Sequence, residues 1–111
     1  MKKNQRKFPR VDSLNLVSIR HFDENQDPDL LTVGRTLDLS EGGIRLEVNQ
    51  AVPLFSKVSL MLAIHETIIK ARGRVVYLSV EGDLVHMGLD FIGLGAKDRK
   101  AIKNYLASES L

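Results

Sequence analysis

Apolar residues recur at every second position over most of this chain. Val58, Leu60, Leu62 and Ile64 give the cleanest run; Ile44, Leu46 and Val48 repeat it, as do Val85, Met87, Leu89 and Phe91. A period of two sends successive side chains to opposite faces of a strand, so each run buries one face and wets the other. Strands patterned this way must pair side by side, and the sheet they form must stack or close on itself to hide its apolar face. That requirement narrows the fold more than anything else in the sequence.

Six such runs can be placed. Leu14 to Arg20 is the first, and His21 to Leu31, with Asn25, Asp27, Pro28 and Asp29, reads as a polar loop after it. Thr32 to Ser40 is the second strand, with Val33, Leu37 and Leu39 on one face and Thr36, Asp38 and Ser40 on the other. Gly42-Gly43 breaks the run before the third. The fourth ends at the short His65-Glu66 connection. Thr67 to Val80 is a long fifth strand with Lys70, Arg72 and Arg74 on one face and a bulge or bend expected at Gly73. Glu81-Gly82-Asp83 is a hairpin turn into the sixth. Only the end is helical in pattern: from Ala96 to about Ser108, Ile102, Tyr105 and Leu106 fall at i, i+3 and i+4, while Lys97, Lys100 and Lys103 stay wet. The expected fold is all-β with a C-terminal helix, a six-stranded antiparallel β-barrel with the helix packed on or across one opening.

The organisation expected is a flexible basic N-terminal arm at 1–12 and a single barrel domain at 13–111 with its helix at 96–108. With 111 residues the chain can build a modest core without disulfides, and it has no cysteine to form them. Cysteine-thiolate zinc sites are excluded with them, and the absence of cysteine fits a reducing cytoplasm. No apolar run approaches the ~18 residues of a transmembrane helix, and no apolar region follows the N-terminal charges as in a secretory signal. Neither membrane insertion nor a leader is expected. Formal net charge is only +2, but Lys2, Lys3, Arg6, Lys7 and Arg10 crowd the first ten residues. A focused basic arm on a nearly neutral chain fits a compact anionic partner better than a long nucleic-acid track.

Chemistry concentrates at Arg6 and Arg10, and at Asp38, Ser40 and Gly43. Two arginines four apart on an extended segment stand about 13 Å apart. Each can fork onto phosphate, bind guanine O6 and N7, or stack on a base. That span suits a ligand with two bases and two phosphates. An ionised Asp38 only accepts hydrogen bonds, so it can read the N–H groups on a guanine edge. Ser40 can bond a phosphate or a base, and Gly43 is expected to turn with positive φ and let the backbone approach a ligand closely. From average composition, both spacings together arise by chance in about 1% of chains this size. The plain alternative for Asp38-Ser40-Gly43 is a strand end whose polar side chains cap a turn.

Arg6-x-x-x-Arg10 followed by Asp38-x-Ser40-x-x-Gly43 resembles the signature of the PilZ domain, a bacterial domain that binds cyclic di-GMP. Met87-Gly88-Leu89-Asp90-Phe91 resembles that family's late glycine-aromatic strand. The resemblance implies a six-stranded barrel with the nucleotide on its outer surface, Arg6 and Arg10 clamping it and Asp38, Ser40 and Gly43 forming the second motif. Lys7 and Gly42, within those motifs, are further candidates. Tyr77 is the candidate for the aromatic residue that stacks near a guanine in many members, with a core tyrosine as its other reading. The chain is similar to the stand-alone adaptor type, which implies a downstream protein partner and no cofactor beyond the ligand itself.

Other functions find less support. His21, His65 and His86 have no metal-binding spacing, Ser40 lacks the G-x-S-x-G context, and no G-x-x-x-x-G-K-[ST] loop exists, so neither catalysis nor a metal site is expected. Lys70, Arg72 and Arg74 could touch phosphates, but Phe8, Phe55, Tyr77, Phe91 and Tyr105 form no exposed stacking run, so DNA or RNA is not the expected partner. A protein-interaction module of the same fold, acting without nucleotide, is the alternative.

Overall fold

The computed structural model describes residues 16–21, 30–64 and 66–109. The basic arm, most of the polar loop and His65 lie outside the described residues, and with them Arg6, Lys7 and Arg10. The described chain forms β1 (Leu16–His21), β2 (Leu30–Leu39), β3 (Gly43–Val48), β4 (Lys57–Ile64), β5 (Thr67–Glu81), β6 (Leu84–Leu94) and α1 (Ala96–Glu109). All six strands pair antiparallel in a closed barrel of order β1-β2-β3-β6-β5-β4. The sheet needs to close because each strand buries one face. Val17, Ile19, Leu46, Val58, Val75 and Met87 reach full burial inside it. β4 shows the alternation most plainly, with Val58, Leu60, Leu62 and Ile64 inside.

β2 departs from simple alternation. Its register against β3 shifts between Thr36 and Asp38, which leaves Leu37 as a bulge. An extra residue in one strand inverts which side chains face in. Before the bulge Thr32 points inward and Val33 is exposed; after it Leu39 is buried opposite Ile44. Val33 and Thr36 are therefore on the faces opposite to those that unbroken alternation predicts. Asp38 and Ser40 are both exposed, as expected.

At Gly73 the expected irregularity is present, but the extra residue is on the partner strand: Arg72 pairs with Gly93 and Gly73 with Phe91, so Ile92 bulges. A second bulge falls at Val76, between the Val75–Leu89 and Tyr77–Gly88 pairs. Gly82 and Asp83 join β5 to β6 in a two-residue turn, with Gly82 at φ 68°, a backbone conformation that glycine adopts without steric cost.

The helix lies against β5. Ile102 is completely buried and Tyr105 and Leu106 half-buried, while Lys97, Lys100 and Lys103 are exposed. Full burial of one such aliphatic side chain stabilises by about 1.5–3 kcal/mol. Asp98, in the first turn, accepts a hydrogen bond from the Lys70 backbone N–H at 3.3 Å and ties the helix start to β5. Among the described residues, no helix is long and apolar enough to cross a membrane.

Candidate functional site

The link from β2 to β3 is a tight reversal over Ser40–Gly43. The Ser40 N–H donates to the Gly43 carbonyl at 2.9 Å. The Ser40 hydroxyl donates weakly to the same carbonyl at 3.4 Å and accepts from the Gly42 N–H at 3.3 Å. Ser40 thus does cap its turn, but through long bonds on an exposed surface, where water or a ligand competes easily. The Phe91 N–H donates to the Gly42 carbonyl at 2.9 Å, which anchors the reversal to β6.

Gly43 is a glycine for a reason other than the one its place in the motif predicts. Its φ is not positive; among described glycines only Gly82 has that conformation. Instead, Gly43 lies directly across from Asp90, and a Cβ there would collide with the Leu89 carbonyl oxygen. Its missing side chain lets β3 pack against β6. Gly42 differs: a Cβ there would meet nothing within 4 Å.

Register puts Asp38 in a row across four strands. Asp38 pairs with Arg45 on β3, Arg45 with Gly88 on β6, and Gly88 with Tyr77 on β5. Asp38, Arg45 and Tyr77 are all exposed, so all three look outward. Three strand spacings separate the ends of the row, about 14 Å. Tyr77, half-exposed at 49%, is therefore not a core residue. Its side chain leans over Gly88, whose Cβ would be 3.2 Å from the Tyr77 Cβ. With no side chain of its own, Gly88 leaves room on the outer face for the Tyr77 side chain. The structure thus brings Asp38, Ser40, Gly42 and Gly43 together at one end of an outer face, with Tyr77 farther along it.

Arg45 is the residue that motif reading passes over. Its signal was present: the alternation of Ile44, Leu46 and Val48 sends it outward, and a reversal closed between Ser40 and Gly43 sets it opposite Asp38. The adjacent outward row is polar and internally paired. Arg35 Nε is 2.9 Å from Glu47 Oε1, and His86 Nε2 is 3.2 Å from Glu47 Oε2. The hydrogen bond with His86 is the main influence holding the Glu47 carboxyl below its ordinary value; partial burial opposes it and Arg35 adds to it. Among the described residues no cluster of three or more His, Asp or Glu could hold a metal ion.

The opposite side of the ring has a different relief. A cleft of about 610 Å³ there is lined by Arg20, Ser59, Met61, Lys70, Arg72 and Gly93 among others. It shares no residue with the Asp38 row.

The described residues form a small closed antiparallel barrel with a polar hairpin end and an outward row of acid, guanidinium and phenol. The PilZ domain pattern matches residues 4–108, and the chain belongs to that family. Among solved structures it is similar to MrkH of K. pneumonia, at 15% identity and a TM-score of 0.66, covering 85% of this chain and 44% of that one. It is also similar to the Bacillus subtilis inhibitor of motility MotI/DgrA, at 18% identity and 0.65, covering 89% and 47%. The MrkH–c-di-GMP complex aligns at 16% identity and 0.63, covering 83% and 45%. The chain therefore spans just under half the length of these solved proteins. No curated protein matches it in sequence.

Proposed function

We propose that this protein is a bacterial cyclic di-GMP receptor and adaptor, a binding module in place of an enzyme. The observation that carries the reading is the outward cluster of Asp38, Ser40 and Gly43 at the β2–β3 end, in a chain that belongs to the PilZ family. A solved structural neighbour is a complex with the same nucleotide. In this reading Asp38 faces a guanine edge, because a carboxylate beside phosphates would repel them. Ser40 gives up its long intraturn bonds for the ligand. Arg6 and Arg10 take the phosphates, with Lys7 adding charge, and Gly42 leaves open space for close approach. Arg45 and Tyr77 offer flat faces to a second base.

Residues 1–12 act as the arm and 13–111 as the barrel domain. Like charges on the arm repel, and two bound phosphates neutralise that repulsion. Binding then folds the arm across the barrel, and a protein partner in the cytoplasm reads the ordered surface. Isothermal titration of cyclic di-GMP into the purified chain tests this, with GMP and cyclic di-AMP as competitors. Saturable binding that discriminates against both, and that Arg10→Ala removes, is the expected result. Absence of heat with folded protein would leave the nucleotide-free interaction module in its place.

A further inference from the structure

β5 is longer than the barrel needs. Its pairing with β4 ends at Lys57–Arg74, and the chain preceding β4 extends the seam by one step: the Phe55 N–H donates to the Val75 carbonyl at 2.6 Å and the Val75 N–H to the Ser56 carbonyl at 3.0 Å. Beyond that, among the described residues, no strand pairs with Val76–Glu81 on the β4 side. The other side is fully paired with β6, out to Glu81–Leu84. The result is a six-residue open edge on a projecting hairpin.

Proteins normally blunt such an edge with lysine, proline or a short strand. Here the window Val75–Val80 has no charge and no proline and is rich in β-branched and aromatic residues, a composition suited to strand pairing. Its only blunting features are the bulge at Val76 and the acid at Glu81. Val76 and Val80 are exposed, Val80 at 77%. Phe55, where the open edge begins, is 66% exposed with φ 70°. A bulky residue in the left-handed region costs about 1–2 kcal/mol, and such strain marks a residue held for a purpose. Here the backbone bonds to Val75 fix an aromatic ring in solvent at the end of an unpaired edge.

Charge along the edge identifies the occupant. Exposed Lys57 and Arg74 stand at its base, and exposed Glu81 and Asp83 at its tip. A copy of the same edge laid antiparallel brings each acidic tip to the other's basic base and each Phe55 to the other's hairpin end. We infer that Val76–Glu81 pairs with the same segment of a second copy of this chain, forming a two-fold dimer with a sheet continuous across both barrels. A seam of six residues is small, so the dimer is reversible and concentration-dependent.

Sedimentation equilibrium of the full chain tests this, with thermal melting to verify that each variant is folded. Dimerisation rising with concentration is expected. Glu81→Lys and Arg74→Glu should each weaken it by about tenfold, since each contact occurs twice in a two-fold dimer. The double variant should restore it to near the original value. A monomer at every concentration, a dimer indifferent to both single changes, or singles that the double does not rescue would each overturn the pairing.

Discussion

The face built on β2 and β3 and the face built on β4 and β5 differ in relief and in charge. The first carries the motif residues, and Gly43 and Gly88 leave it without side chains at two positions. The second carries three cations around a cleft of about 610 Å³ and none of the motif residues. Shape alone would assign an anionic ligand to the second face. Small-ligand pockets usually enclose most of the ligand, which a flat strand surface cannot do. In the proposed reading, a ligand on the β2–β3 face is covered from outside the barrel by Arg6 and Arg10, which precede β1 in the sequence. If the proposed site is right, binding residues on the barrel and covering residues before it come from different parts of the chain.

Removing the cover should have the largest effect. Arg10→Ala is expected to weaken cyclic di-GMP binding by roughly 2 kcal/mol or more, read by calorimetry, because a bidentate charged contact is lost. Unchanged affinity would break the division of labour between arm and barrel. Gly43→Ala should act on the fold first. The added methyl meets a backbone oxygen of β6, and overpacking of that kind costs about 1–3 kcal/mol, measurable by denaturant unfolding. Gly42→Ala, with open space around it, should leave stability unchanged. Ser40→Ala should cost about 1 kcal/mol of binding, since its own turn bonds are already long. The smallest effect belongs to the other face: Arg72→Ala should leave affinity for the nucleotide as it was. A loss there equal to that at Arg10 would move the site into the cleft.

The polar row beside the site supplies a pH test. The Glu47 carboxyl is held below its ordinary value of 4.5, chiefly by the hydrogen bond with His86. A carboxyl whose value is lowered by folding stabilises the protein above that ordinary value, and the contribution is lost as pH falls through the lowered one. Thermal stability should thus decline on acidification below pH 4.5, and Glu47→Gln should flatten that decline.

Much of this was legible beforehand, and the exceptions have physical causes. Alternation located all six strands, and i, i+3, i+4 spacing located the helix, because burial on one face writes itself into the sequence. The bulge at Leu37 was not visible, since an inserted residue leaves the composition of the strand unchanged and shows only in pairing with β3. The same blindness put Val33 and Thr36 on the wrong faces. Gly43 was recognised from the motif but for the wrong conformational reason, because its neighbour on β6 is almost fifty residues away in the chain. Tyr77 could be core or surface until the bulge at Val76 fixed its direction. The placement of Arg6 and Arg10 lies outside the described residues, so their part in the site rests on spacing and family alone.

The ring order β1-β2-β3-β6-β5-β4 also bears on how the protein is made. β3 finds its second neighbour only in β6, the last strand, so a ribosome that has released the first five strands has delivered an open sheet. The Asp38–Arg45–Gly88–Tyr77 row crosses that final seam. It does not exist in any nascent chain that stops short of β6. Any binding that depends on that row therefore waits until β6 has been made and paired with β3.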